Sequence, residues 1–160
     1  MATTPIKRNQ HIVQFSKDHH FTLLFCWKIR QGLKMQIESI RIKSYVRYFF
    51  KEHMEPHFKH EETLLFTLVG DEKVQKALDD HEKIKNLISK ILESSDETIS
   101  EQLATLADKV EAHVRFEERE LFPHLEFTLS EEQLQLIGEQ LSKEAILPDA
   151  FKDEFWIGKK

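Results

Sequence analysis

The chain has 160 residues, 40% of them hydrophobic and 32% charged, with a formal net charge of −5 and a pI near 6.0. That charge balance gives no general attraction to nucleic acid or anionic lipid, which argues against partners of either kind. Gly and Pro are scarce at four each, and Cys26 is the only cysteine, so no intrachain disulfide is available; the expectation is an all-α, cytoplasmic protein forming one domain over residues 1–160.

The first predicted helix runs from His11 to about Gln31, with Ile12, Phe15, Leu23, Cys26 and Ile29 on one face and a stop at Gly32. No apolar h-region follows Lys7 and Arg8, and Thr22 interrupts the apolar stretch from Phe21 to Trp27, so neither a signal peptide nor a membrane span is expected. A second helix is predicted over 38–69, carrying Ile40, Tyr45, Phe49, Phe50, Leu64, Leu65 and Phe66 and ending at Gly70-Asp71. Pro56 lies inside it, which predicts a broken hydrogen bond and a kink just before His57. Arg41, Lys43, Arg47 and Lys51 alternate with glutamates and read as a solvated face.

A third helix is predicted from Asp71 to about Glu93, with Val74, Leu78, Ile84, Leu87, Ile88 and Ile91 in register and Ser94-Ser95-Asp96 closing it. The fourth runs from about Thr98 to Phe127, carrying Leu103, Leu106, Val110, Val114, Phe116 and Leu121, with Pro123 near its end. Ser130 and Gln133 read as a capping box opening a fifth helix to Glu144. After Pro148, the aromatics Phe151, Phe155 and Trp156 are expected to fold back over apolar surface or to make a dimer contact. Four long helices with short connections imply an antiparallel up-down-up-down bundle over about 11–127, followed by a short C-terminal helix and tail over 130–160.

One constellation occurs twice. Asp18-His19 is followed by His57, Glu61-Glu62 and Leu65-Phe66; Asp80-His81 is followed by His113, Glu117-Glu118 and Leu121-Phe122, with the same spacing inside each cluster. A His and a Glu four residues apart stack on one helix face and reach the same small volume. Imidazole and carboxylate are good ligands for first-row transition metals, so His19, His57, Glu61, His81, His113 and Glu117 supply one dinuclear site. The economical arrangement gives each ion two imidazoles, lets both carboxylates bridge, and leaves coordination positions open. Structural zinc favours a closed tetrahedron, often with thiolates, which one cysteine does not provide.

From about His11 to Phe127 these residues make the chain resemble a hemerythrin-like domain, the HHE cation-binding group of non-haem di-iron bundles. The resemblance implies two iron ions, with Mn or Zn as substitutes, held by the six residues named above, and a small diatomic ligand, O2 or NO. It departs at Lys85, where oxygen-carrying members have a further His, and at Glu117, where they have a more distant Asp. Oxygen transport is therefore not part of the expectation. What is expected is a protein that binds or senses oxygen or nitric oxide, or handles iron and redox state. A di-iron oxidase or peroxidase-type enzyme is the alternative, and a metal-free helical interaction module the second.

The neighbouring polar residues receive plainer readings. His19 is preferred to His20, while His53 and His60 lie near the ligand face as ordinary polar residues or further donors. Asp18 and Asp80 point to a different helix sector from the His that follows each, and read as solvated charges. Cys26 reads as a core residue, and His11 and His124 as exposed.

Overall fold

The computed structural model describes residues 8–94, 99–143 and 149–158, and every regular element among them is helical. In chain order these are α1 (Val13–Lys34), α2 (Ser39–Phe49), α3 (Glu55–His60), α4 (Glu72–Glu93), α5 (Ile99–Phe116), α6 (Phe122–Thr128) and α7 (Glu131–Leu141). Single π-turns at Phe50–Met54, Glu61–Leu65 and Glu117–Leu121 join α2 to α3, extend α3, and join α5 to α6. None of the described helices is long and apolar enough to cross a membrane.

The expected helices are present, with local corrections. α1 continues past Gly32 to Lys34 and stops where Gln36 adopts a left-handed φ of 56°. There the Ile37 N–H bonds to the Gly32 carbonyl at 2.9 Å and the Gln36 N–H to the Leu33 carbonyl at 3.1 Å, which is a Schellman closure with buried Ile37 as its apolar partner. Leu23 is 37% exposed and faces outward, as does Ile40 at 69%; Thr22 and Phe25, then Ile42, take the inner positions. Arg47 and Lys51 are solvated as expected, but Arg41 pairs with Asp153 and Lys43 bonds to the Ser94 carbonyl. Asp71 caps α4 by accepting from the N–H groups of Lys73 and Val74, and the Ser130–Gln133 box caps α7. The stop at Ser95-Asp96, the start at Thr98 and the end at Glu144 fall outside the described residues.

The π-turns explain how the second and fourth long segments keep one face inward. Buried residues recur every fourth position at His57, Glu61, Leu65 and Val69, and again at His113, Glu117, Leu121, Leu125 and Leu129. In an α-helix each such step drifts by about 40°, so a sustained spacing of four would spiral off the core. An i to i+5 bond, from the Phe66 N–H to the Glu61 carbonyl at 2.9 Å and likewise from Phe122 to Glu117, widens one turn and resets the register. The break expected at Pro56 takes the same form: the Glu55 N–H bonds to the Phe50 carbonyl just before the proline, which has no N–H to offer.

α1 packs on α5 and α2, and α4 packs on α5 and α2, closing a ring of helices. Their inner faces form two apolar clusters, one around Phe25, Phe49, Ile84 and Leu106, the other around Phe15, Leu65, Val74 and Leu121. Between the clusters lies a buried polar layer, which is the only place where His and Glu side chains enter the core of the described residues. The tail folds back as expected. Phe155 is fully buried, with its ring lying where a side chain on Gly32 would clash at 2.9 Å. Tyr45 packs on Phe151, Phe155 and Trp156, and Asp149 accepts from the Tyr45 hydroxyl at 2.5 Å and from Lys28 at 3.0 Å.

Candidate metal centre

Each long helix contributes to the polar layer at the level where its apolar faces change cluster. α1 brings His19, α3 and the π-turn after it bring His57 and Glu61, α4 brings His81, and α5 and its π-turn bring His113 and Glu117. All six are buried, with Glu61, His81 and Glu117 at 0% exposure. They form two groups, His19, His57, Glu61 and Glu117, and Glu61, His81, His113 and Glu117, within each of which one ligand atom per residue lies within 4.8 Å of the others. Both glutamates belong to both groups.

Around this layer stand four carboxylates, and the sequence reading of Asp18 and Asp80 as solvated charges is corrected by them. Asp18 accepts from His57 Nδ1 at 3.1 Å and Asp80 from His113 Nδ1 at 3.1 Å. Glu118 accepts from His19 Nδ1 at 2.8 Å and Glu62 from His81 Nδ1 at 2.6 Å. Every ring thus has its outer nitrogen held as a donor, which leaves the Nε2 lone pair of the neutral tautomer aimed inward. The duplicated Asp-His and Glu-Glu dipeptides were the available sequence signal for this outer set.

The inward atoms are poorly satisfied by the protein alone. Both oxygens of Glu61, Glu117 Oε2, His81 Nε2 and His113 Nε2 are buried without a hydrogen-bond partner, although His81 Nε2 lies 3.2 Å from Glu61 Oε1. His19 Nε2 reaches Glu117 Oε1 at 2.9 Å, and it also faces His57 Nε2 at 3.2 Å. Two lone pairs at that distance repel unless a proton or a cation lies between them, and a buried carboxylate without a partner is costly. The donor set therefore fits divalent metal ions, whose charge and vacant orbitals satisfy all of these atoms at once.

Without metal, protons fill that role. Burial opposes charge on His113, but the Glu117 and Asp80 carboxylates beside it raise its pKa to about 10. Burial likewise opposes charge on His57, yet Glu61 and Asp18 hold its pKa well above the ordinary value, and His19 is raised by Glu117 and Glu118 against the same penalty. Burial works to raise Glu117, but His113 and His19 carry it well below the usual carboxylate range.

Other histidines lie elsewhere. His20 is exposed, and His53 stacks on Phe49 and sits 3.5 Å from the Tyr48 hydroxyl. His60 lines a surface cleft with Glu55, Lys59 and Gln140. His11 and His124 are only partly exposed, corrected from the solvated reading by pairing with Glu131 and Asp71. Cys26 is buried in the core, which pushes its thiol up to about 12. Lys85, one turn after His81, places its ammonium 4.0 Å from Glu62 and 3.7 Å from Glu82.

Sequence reasoning also missed the apolar walls. Phe58 stacks on His81 at 3.8 Å and 13°, and Phe122 stacks on His19 at 5.5 Å and 3°. Phe15 meets His57 edge-on, and Phe66 lies against His81.

Among known protein families, the model of the hemerythrin HHE cation binding domain matches residues 12–125. No curated protein and no solved structure matches the chain.

Proposed function

Since the chain belongs to the hemerythrin HHE cation-binding domain family, we propose that it is a non-haem di-iron protein that binds or senses oxygen or nitric oxide, or handles iron and redox state. His19 and His57 would hold one ion and His81 and His113 the other, with Glu61 and Glu117 within reach of both. The observation that carries this reading is Glu61: a fully buried carboxylate whose two oxygens have no hydrogen-bond partner, set among the inward nitrogens of His57 and His81.

The host is an antiparallel four-helix bundle. Its support is that each successive long segment crosses between the two apolar clusters in the opposite sense: Phe15 to Phe25 along α1, Phe49 to Leu65 through α3, Val74 to Ile84 along α4, and Leu106 to Leu121 from α5. A single buried cysteine fits a cytoplasmic setting.

Iron in such a site supplies one-electron chemistry and open positions for a small diatomic ligand. The protein's part is to hold four imidazoles in one tautomer through Asp18, Asp80, Glu62 and Glu118, and to keep water away with Phe15, Phe58, Phe66 and Phe122. Lys85 stands where the carriers have an additional imidazole and turns its amine to Glu62 at 4.0 Å, so the role of an oxygen transporter is set aside.

The test is to load the metal-free chain with ferrous iron in the absence of oxygen, count the ions, and follow the absorption spectrum on exposure to air. Two ions per chain and a new near-ultraviolet band that reverses when oxygen is removed are expected. A band that persists favours the oxidase alternative, and no bound iron rejects the reading.

A further inference from the structure

The duplicated site is not symmetric in what stands behind it. Arg8, whose side chain is 4% exposed, reaches the supports of His19 from outside. Its Nη2 donates to the Glu118 carbonyl at 2.8 Å and lies 3.5 Å from Glu118 Oε1, while its Nε donates to Ser16 Oγ at 3.2 Å. The Ser16 hydroxyl in turn faces both Glu118 carboxylate oxygens at 2.8 and 3.0 Å. The Arg8 guanidinium also sits 5.4 Å from the centre of Phe122, the ring stacked on His19, and its Nη1 is anchored on Glu126 at 2.5 Å. One side chain therefore backs both the carboxylate that holds His19 Nδ1 and the ring that holds the imidazole plane.

The equivalent carboxylate in the other half is held differently. Glu62 accepts from His81 and has the Lys85 ammonium at 4.0 Å, beyond hydrogen-bond reach. His81 depends instead on Phe58, which lies directly on its face at 3.8 Å. Arg8 thus holds Glu118 through its carbonyl and through the Ser16 hydroxyl that bonds its carboxylate, a desolvated network for which Glu62 has only a partly exposed lysine at ion-pair distance.

We infer that Arg8 is a positioning residue for one metal position only, fixing His19 through Glu118 and Phe122 and so making the His19–His57 position distinct in affinity from the His81–His113 position. This rests on the dinuclear reading proposed above. The hydrogen bonds of Arg8 go to Ser16, Glu118 and Glu126, on the His19 side, and not to His81, His113, Glu62 or Asp80, which places its effect in one half of the site.

The test is anaerobic ferrous titration of the full metal-free chain with Arg8→Ala placed in three backgrounds: otherwise unchanged, His19→Ala and His81→Ala. In the unchanged background one binding step weakens and the other does not. With His81→Ala, Arg8→Ala weakens the remaining position by roughly ten-fold or more, the usual size of such an outer-partner loss, whereas with His19→Ala it changes uptake by less than about two-fold. Arg8→Lys restores part of the loss, and Lys85→Met leaves both steps intact. Equal weakening of both steps, or of both single-His backgrounds, means that Arg8 serves the fold alone and overturns the inference, as does no weakening at all. In either case, two ions per unsubstituted chain leave the dinuclear reading standing. Fewer than two ions there overturn that reading, and the inference with it.

Discussion

The Asp18 carboxylate accepts a hydrogen bond from His57 Nδ1 at 3.1 Å, on another helix, and not from its own neighbour His19. Asp80 and His113 repeat the relationship at 3.1 Å. Adjacent helical residues point about 100° apart, so an Asp beside an inward His faces the helix next door, where it finds the outer nitrogen of the next ring. The Asp-His dipeptide thus ties two helices together at the level of the site.

Asp18→Ala and Asp80→Ala should each weaken metal uptake, by roughly 10–100-fold, since the freed ring loses its tautomer and orientation. Competition against a calibrated chelator measures this. Asp79→Ala, at an exposed position beside Asp80, is the control and should leave affinity unchanged.

The metal-free protein should be most stable between about pH 4.5 and 6.5. His113 has its pKa raised from 6.5 to about 10, and a raised group contributes stability that is present below its unfolded value and lost as pH rises through its folded one. Glu117 is lowered well below 4.5, so its contribution holds above that value and is lost as pH falls through the folded one. Metal uptake at neutral pH should therefore release protons from the imidazoles, seen as a dependence of the calorimetric heat on the buffer's ionisation enthalpy. Identical heats in all buffers would contradict a protonated metal-free site.

His57→Ala and His113→Ala should each reduce the metal content by at least one ion per chain on the dinuclear reading, while His124→Ala, paired with Asp71 away from the site, retains it. Elemental analysis of purified variants decides. Equal loss from all three would point to damaged folding.

Phe155→Ala should destabilise the protein by about 3–5 kcal/mol, the usual cost of emptying a fully buried Phe site. Gly32→Ala should cost about 1–3 kcal/mol through overpacking, since its added carbon meets Ile42 and Phe155 at 2.9 Å. Urea unfolding of the metal-free chain measures both, and a neutral Gly32→Ala would show that the tail moves aside freely.

Gln36→Gly should stabilise by about 1 kcal/mol, because a left-handed φ of 56° costs a side-chain-bearing residue that much and costs glycine little. An unchanged thermal midpoint would show that Gln36 is not strained there.

The sequence by itself determined the helical class, the approximate helix bounds, and the six side chains that meet in the interior. These are properties of one helix at a time: a His and a Glu four apart lie on one face wherever that helix goes, and apolar residues at helical spacing turn that face inward. The four-residue recurrence from His57 to Val69 and from His113 to Leu129 was also on the page, though its consequence, a π-turn at each shared glutamate, required knowing that the face stays buried throughout. Tertiary structure alone decided what each outer nitrogen touches, that Arg8 stands behind His19, and that Phe155 fills the notch at Gly32. Those contacts join residues 39, 33 and 118 positions apart, as in His57 with Asp18, His113 with Asp80 and Arg8 with Glu126. They depend on the rotation and axial offset of neighbouring helices, which are set by the packing of both faces together and are carried by no single segment.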